Sequence, residues 1–320
     1  MRRLNKKILI PALCGLAMAG LWAADKPASD PSAVIRVDTR LVVLPVTVVD
    51  KTGHLVTNLS QTAFQVFENG IQQHIKIFKR EDVPVSMGLI VDNSGSMRDK
   101  RAKVEAAALS LVKESNPQDE VFIVNFNDEA FLDTPFTNDL KQLQDGLAHI
   151  DSRGGTAMRD AIRMSIDYEK EKAKKDKKVL VVVTDGNDNS SGISLENLVK
   201  TSQDSGVLIY TVGLLSEEER REAKRAKRAL EALAEATGGE VYFPKEMSDV
   251  GRVAQQVAHD IRNQYTLAYS PTDAALDGSY RQIKVTASGP NRPMVRTRTG
   301  YYATPDSAKS ASVVRDGAGN

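Results

Sequence analysis

The sequence predicts an α/β fold, in which a doubly wound, mainly parallel sheet is flanked by or inserted into a β-sandwich-like domain. Strand-like and helix-like segments alternate between residues 85 and 261, as expected for successive β-α-β units. Several of these strands, such as residues 179–184, are unbroken apolar runs that suit burial on both faces. Strand-like segments without intervening helices precede and follow this region, which indicates a second, all-β part.

The central region, residues 83–263, contains the alternating elements. Strands are predicted at residues 85–91, 121–126, 130–132, 179–184, 207–212 and 241–243. Helices are predicted at residues 100–113, 140–150, 157–172, 195–203, 217–236 and 249–261. This order is typical of an open sheet with helices on both faces.

Two β-rich segments, residues 34–82 and 264–303, flank the central region. In the first, Asn69-Gly70 favours a hairpin between strands at 64–67 and 71–78. The second is expected to contain strands at residues 265–269, 280–287 and 294–302. The first strand and the last helix of the central region meet the flanks at the same pole, so we expect the flanks to pair into one β domain. Two unrelated β extensions are the alternative.

The N-terminus resembles a secretory signal peptide, residues 1–24, with a basic start and an apolar stretch from residue 8. Residues 25–33 read as a linker, and residues 304–320 as a disordered tail. Cys14 lies in the signal segment, so a cleaved chain would contain no cysteine and no disulfide. We expect an extracytoplasmic protein, periplasmic or secreted, with a membrane anchor at residues 8–24 as the alternative.

The overall charge excludes one class of partner. Lys and Arg total 43 against 42 for Asp and Glu, so there is no global basic field for nucleic acid. The membrane is expected as a partner only if residues 8–24 stay as an anchor, and the sequence indicates no oligomeric state.

Oxygen-bearing side chains gather in three segments, each at a predicted strand–loop edge or helix start. The segments are Asp92-Asn93-Ser94-Gly95-Ser96, Gly154-Gly155-Thr156 and Thr184-Asp185-Gly186. Open α/β sheets bind ligands at the carboxyl ends of their strands, so these loops are expected to meet. Hard oxygen donors without Cys or His suit Mg²⁺, with Mn²⁺ or Ca²⁺ possible, and not zinc. The candidate metal ligands are Asp92, Ser94, Ser96, Thr156 and Asp185.

This set of five positions is similar to the metal-ion-dependent adhesion site of von Willebrand factor A (VWA) domains, which have a Rossmann-like fold. The resemblance covers residues 83–263. Features outside the site also resemble a bacterial family, the "VWFA-related Acidobacterial domain" family. These are residues 64–70, Thr237-Gly238-Gly239, Gln264-Tyr265 and Gly300-Tyr301-Tyr302.

The resemblance implies roles for the candidate residues. Ser94, Ser96 and Thr156 would bind the metal directly or nearly so, and Asp92 and Asp185 directly or through water. An Asp or Glu of a protein partner would complete the coordination. In such domains ligand binding can shift the last helix, here residues 249–261. Comparing metal-loaded structures with and without ligand tests this hypothesis, which an unmoved helix would refute.

The expected function is metal-dependent, adhesion-type protein binding without catalysis. A structural role in a cell-envelope assembly is the first alternative. A metal-dependent hydrolase is the second, but no general base is evident beside the site, and HExxH, GxSxG and Walker-type motifs are absent from the sequence. Asp188, in the third loop, is interpreted as a solvated carboxylate, with assistance to a neighbouring cation as the alternative.

Overall fold

The computed structural model describes residues 41–80, 82–148, 153–186, 188–215, 220–289 and 292–305. The strands are β1 (Val42–Val49), β2 (Phe64–Glu68), β3 (Ile71–Gln73), β4 (Ile75–Lys79), β5 (Val85–Asp92), β6 (Glu120–Phe126), β7 (Ala130–Thr137), β8 (Lys177–Thr184), β9 (Leu208–Gly213), β10 (Val241–Tyr242), β11 (Tyr265–Tyr269), β12 (Tyr280–Ala287), β13 (Met294–Arg296) and β14 (Gly300–Tyr302). The α-helices are α1 (Arg101–Glu114), α2 (Leu140–Ala148), α3 (Met158–Lys172), α4 (Leu195–Ser205), α5 (Arg220–Thr237) and α6 (Val250–Arg262).

The central sheet has the strand order β10-β9-β8-β5-β6-β7, and every neighbouring pair except β6–β7 is parallel. All eight residues of β5 are buried, as the unbroken apolar run predicts for a central strand. The antiparallel edge strand β7 is longer than the predicted residues 130–132, because it continues to pair with β6 as far as Thr137. Together with the β-sandwich described below, this sheet confirms the predicted fold class.

Helices cover both faces of the central sheet. Apolar side chains of α1, α2 and α6 pack on one face, and those of α3, α4 and α5 pack on the other. Each face therefore has its own apolar core, and burial of these side chains supplies most of the driving force for folding. This layering leaves the ends of the strands as the places where polar loops can gather.

The two flanks form a pair of four-stranded sheets, with orders β13-β1-β11-β4 and β14-β12-β2-β3. Strand β1 pairs antiparallel with β11, from Val42 opposite Tyr269 to Val46 opposite Tyr265, so residues distant in sequence form one sheet. The inward side chains of both sheets share one core, which includes Leu44, Val66 and Leu267. The β-rich flanks thus pack as a sandwich.

Two segments predicted as single strands are divided between the sheets of the sandwich. The predicted strand 71–78 is broken at His74, where β3 pairs with β2 and β4 pairs with β11 of the other sheet. The predicted strand 294–302 is divided in the same way into β13 and β14. The physical reason is that both segments turn a corner of the sandwich, where one strand changes sheets.

The sandwich meets the α/β domain at the pole where β5 begins and α6 ends. The Gln264 amide donates to the Thr47 hydroxyl at 2.9 Å and to the Tyr210 hydroxyl at 3.2 Å. Arg262 of α6 forms an ion pair with Asp82 at 2.7 Å. The opposite pole, where β5 and β8 end, carries the three loops of the candidate site.

Some predictions fall outside the described residues, namely the signal peptide 1–24, the linker 25–33 and the tail from residue 306 onward. Within the described ranges, no helix has the length and apolar character that crossing a membrane requires.

The Glu169 side chain of α3 is an ionisable group buried in the core of the α/β domain. It is fully buried, and neither carboxylate oxygen has a hydrogen-bond partner. Burial raises the pKa of Glu169 well above its ordinary value of 4.5, with Glu120 adding to the rise and Lys178 opposing it. The folded chain therefore holds this proton more tightly than the unfolded chain does, and stability falls as the pH rises above about 4.5.

We expect Glu169→Gln to raise the free energy of unfolding at pH 7.5 by about 1–3 kcal/mol, because the variant has no charge to bury. At pH 4.5 and below, the advantage should shrink towards zero. Urea denaturation at the two pH values measures both. Glu171→Gln, an exposed position on the same helix, is the control and should show no such pH dependence. An equal gain at both pH values would contradict the electrostatic explanation.

Candidate metal site

The ends of two neighbouring strands bring the two candidate carboxylates together. Strands β5 and β8 are paired in parallel, with Val91 opposite Val183. Asp92 is the last residue of β5, and Asp185 directly follows β8. Because parallel strands present their carboxyl ends at one edge of the sheet, the pairing register alone makes these side chains neighbours.

The Asp92 carboxylate is buried, and each of its two oxygens accepts a hydrogen bond. One oxygen accepts from the Ser94 amide at 2.8 Å, and the other accepts from the Thr184 hydroxyl at 2.5 Å. Burial raises the pKa of Asp92 to about 6, the hydrogen bonds from Ser94 and Thr184 oppose this rise, and the negative charge of Asp185 adds to it. A cation placed between the two carboxylates would offset the cost of burying their charge and the repulsion between them.

Two serine hydroxyls continue from Asp92 towards Asp185. The Ser94 and Ser96 hydroxyl oxygens lie 3.2 Å apart, and the Ser96 hydroxyl donates to the Asp185 carboxylate at 2.8 Å. Ser94 is buried, whereas Ser96 is exposed. The first and third loops therefore present one continuous row of oxygen atoms, in which Ser96 is the exposed member.

Thr156 joins this group through the backbone. Its amide donates to the Asn189 side chain at 2.8 Å, and its carbonyl accepts from the Asn189 amide at 3.1 Å. Its hydroxyl lies 3.8 Å from where a Cβ on Gly186 would stand, beside Asp185. The structure thus places Thr156 next to the third loop, while the hydrogen bonds described here connect its hydroxyl to none of the other four candidates.

The second loop is held by the first loop and by Asp128, a residue that sequence reasoning missed. The Gly155 amide donates to the Asp128 carboxylate at 2.7 Å, and the Gly95 amide donates to the Gly154 carbonyl at 3.3 Å. Gly154 has a φ of +77°, which a residue with a side chain adopts only with strain. Asp128 gives no distinctive sequence signal, because one Asp in a tight turn is common.

Lys100 is a second residue that sequence reasoning did not identify. Its ammonium group forms an ion pair with the Asp185 carboxylate, whose side chain is only 1% exposed. The Lys100 side chain itself is 26% exposed, so it reaches the carboxylate from the surface. Nothing in the local pattern signals this contact, since Lys100 lies one position before α1 and 85 residues from Asp185.

The interpretation of Asp188 as a solvated carboxylate is wrong. Its side chain is 6% exposed, and it accepts hydrogen bonds from the Arg159 amide at 2.7 Å and from the Ser191 hydroxyl at 2.6 Å. It also forms an ion pair with the Arg159 side chain. The free amides at the start of α3 attract a carboxylate, which explains its burial. Asp188 therefore fastens the third loop to α3.

The donor set fits a hard divalent cation. Two carboxylates and three hydroxyls supply oxygen ligands only, and the ammonium group of Lys100 at Asp185 shows that the site attracts positive charge. Among the described residues there is no group of three or more His, Cys, Asp or Glu side chains arranged to hold a metal ion. A cation here would rely on hydroxyls as well as carboxylates, as Mg²⁺ does when it retains waters.

Comparison with known proteins agrees with this architecture. Residues 87–293 match the family model described as the von Willebrand factor type A domain. Calcium-activated chloride channel regulator 1 of Mus musculus is 31% identical over 177 residues, and the match covers 52% of this chain but only 18% of that protein.

Two solved structures are also similar to this chain. A von Willebrand factor type A structure from Catenulispora acidiphila is 11% identical with a TM-score of 0.50, covering 82% of this chain and 75% of that one. The conserved hypothetical protein BatB from Bacteroides thetaiotaomicron is 18% identical with a TM-score of 0.47, covering 55% of this chain and 98% of that one.

The close packing around Gly155 yields a test of how the loops are held. A Cβ at this position would stand 2.5 Å from the Ser190 hydroxyl and 2.8 Å from the Asp128 carboxylate. We expect Gly155→Ala to lower the free energy of unfolding by about 1–3 kcal/mol, because hydrogen-bonded side chains must move. Urea denaturation in EDTA measures this loss without any contribution from metal. The control is Gly251→Ala in α6, where a Cβ meets no atom within 4 Å and helix propensity favours Ala. Equal stability of wild type and Gly155→Ala would show that the loop is not tightly packed.

Proposed function

The chain belongs to the von Willebrand factor type A domain family, and we propose that it binds a protein partner through a divalent cation. The residues proposed to hold the cation are Asp92, Ser94, Ser96, Thr156 and Asp185. The observation that carries the proposal is the pair of buried carboxylates at the ends of β5 and β8, joined to an exposed hydroxyl at Ser96. Magnesium is the proposed ion, with manganese or calcium as substitutes.

The composition of the site favours an acidic ligand. Two carboxylates balance the charge of a divalent ion only when both lie close to it, and the serine and threonine hydroxyls add no charge. A bound cation would supply an electrophilic position that a carboxylate of the partner can occupy. The Asp or Glu of a protein partner is therefore the proposed ligand, and the chain's own residues position the cation and leave the Ser96 side open.

Two alternatives receive less support. The role of a purely structural metal would be to join the loops. Direct hydrogen bonds between Gly95 and Gly154, and between Asn189 and Thr156, already join them. A hydrolase would need a general base beside the site, and the three loops contain no histidine. Binding without catalysis is the function that these residues support best. The signal-like N-terminus favours an extracytoplasmic setting for it.

Lys100 provides a direct test of cation binding. Because its ammonium group neutralises Asp185, it competes with a metal ion for that carboxylate. We expect Lys100→Met to raise the affinity for Mn²⁺ by about 3-fold to 10-fold, measured by isothermal titration calorimetry. Lys103→Met, at an exposed position of α1, removes the same charge away from the site and should change the affinity little. Weaker binding by Lys100→Met would mean that the lysine supports the site rather than competing in it.

Partner capture tests the function itself. Wild type, Asp92→Ala and Ser96→Ala would be immobilised and exposed to a cell-envelope extract, in Mg²⁺ and in EDTA. We expect the same protein to be retained by wild type in Mg²⁺ and lost in the other arms, since each removes the cation or a ligand. Replacing acidic residues of that protein by amides should then abolish its retention.

The controls separate this outcome from a loss of folding. Asp167→Ala removes an exposed carboxylate of α3 and should bind the partner as wild type does. Ser96→Ala removes one hydrogen bond to Asp185 from an exposed side chain, so it should still unfold cooperatively in EDTA, with at most a small loss of melting temperature. Retention of every protein in EDTA would refute the proposal. A metal-dependent melting temperature without any metal-dependent capture would favour the structural role.

A further inference from the structure

A cavity lies at the pole opposite the candidate metal site. It has a volume of about 390 Å³ and lies between the sandwich sheet formed by β1, β4 and β11 and the start of β8. Strand β8 runs from Lys177 at this cavity to Thr184 at the metal loops, so about 20 Å separates the two places. The volume lies within the range of small-molecule binding sites.

The walls of the cavity combine positive charge with apolar surface. Six basic side chains line it against two acidic ones, Asp176 and Asp204. The basic residues are Lys79, Lys174, Lys175, Lys177, Lys178 and Arg298. Apolar side chains from the sandwich, including Val43, Ile77 and Ala268, form much of the remaining surface. A ligand that matches both features carries an anionic group and an apolar body.

Arg298 is the residue that makes this cavity more than a basic surface. Its Nε is buried and has no hydrogen-bond partner, and its guanidinium group lies 5.4 Å from the centre of the Tyr301 ring. No carboxylate within the described ranges forms an ion pair with it. Burial lowers the pKa of Arg298, while Tyr269, Tyr301, Asp204 and Glu68 oppose this shift. Because neither of these carboxylates forms an ion pair with Arg298, an anion bound beside its guanidinium group would be stabilising.

The lysines of the cavity wall differ in their contacts. The Lys177 ammonium group donates to the Ile261 carbonyl at the end of α6, and burial lowers its pKa to about 8. Lys175 and Lys178 are half-buried in the cavity wall. Their backbone is fixed, since the Lys175 amide donates to the Ser86 hydroxyl at 3.1 Å and Lys178 belongs to β8. The lysines therefore supply positive potential around Arg298.

We propose that this cavity binds a small organic anion, whose carboxylate or phosphate group pairs with Arg298 and whose apolar chain lies against the sandwich strands. The guanidinium group can pair with either head group through two parallel hydrogen bonds. Val43 and Ile77 contact the chain, and Lys175 and Lys178 hold the head group by charge. This site is separate from the metal loops and shares no lining residue with them.

Isothermal titration calorimetry on the full chain tests the proposal with four probes. Octanoate and octyl phosphate carry the chain and an anionic group, octylammonium carries the same chain with the opposite charge, and acetate carries the charge without the chain. We expect one or both octyl anions to bind, and the tighter of them identifies the head group. Acetate should bind at least about tenfold more weakly, and octylammonium should show no saturable binding. Equal binding of octanoate and octylammonium would overturn the proposal, as would no binding of either octyl anion.

Matched variants assign the binding to this cavity. Arg298→Gln should weaken octyl-anion binding by about tenfold or more, and Lys175→Gln by about threefold. Lys224→Gln makes the same charge change at an exposed position of α5 and should bind as wild type does. If Arg298→Gln does not fold, as judged by circular dichroism, the double variant Lys175→Gln and Lys178→Gln decides. Unchanged affinity in these variants would place the binding elsewhere and refute the site.

Discussion

The carboxylate of Asp92 is buried at the end of the central strand, and the loops of the candidate site are arranged around that one costly group. Its two hydrogen-bond donors, the Ser94 amide and the Thr184 hydroxyl, come from its own loop and from the neighbouring strand β8. Stabilising the carboxylate therefore also fixes the first loop against the third. Because burial still raises the pKa of Asp92 to about 6, a nearby cation is favoured over an isolated negative charge.

Further hydrogen bonds hold the loops of the candidate site in place. The Asn93 amide donates to the Phe126 carbonyl at 2.7 Å, which fixes the first loop to the end of β6. Asp128 accepts a hydrogen bond from the second loop, and Asp188 fastens the third loop to α3. If the site binds a cation as proposed, loops held in this way would lose little conformational entropy, and more of the interaction energy would appear as affinity.

Much of this arrangement follows from the sequence, and the parts that do not have identifiable causes. Unbroken apolar runs predicted the buried strands, and the position of Asp92 and Asp185 after two of those runs predicted that they are neighbours. The break at His74 carries no Gly or Pro signal, because the strand changes sheets through long-range packing. Lys100 and Asp188 act through contacts with Asp185 and Arg159, respectively. Such contacts depend on how the loops fold back, which no local spacing encodes.

The two poles of the α/β domain are joined by β8 and by α6, and the two elements differ in what they can transmit. Strand β8 is paired along both edges, so covalent continuity from Lys177 to Thr184 carries no coupling by itself. Helix α6 is different, because its C-terminal end is fixed by exchangeable polar contacts. Lys177 binds the Ile261 carbonyl, Arg262 pairs with Asp82, and Asp260 pairs with Arg296 at 2.6 Å.

A shift of α6 along its axis would have to break these three contacts at its C-terminal end, which lies at the pole that holds the cavity. Lys177 belongs both to the wall of that cavity and to the end of α6, so an anion that draws its ammonium group away would weaken one of the contacts that hold the helix. Coupling between the poles would therefore require a ligand that binds the protein with different affinity before and after such a shift of α6. The ammonium group of Lys177 is one group at which such a difference can arise, because it belongs to both the cavity wall and the end of α6.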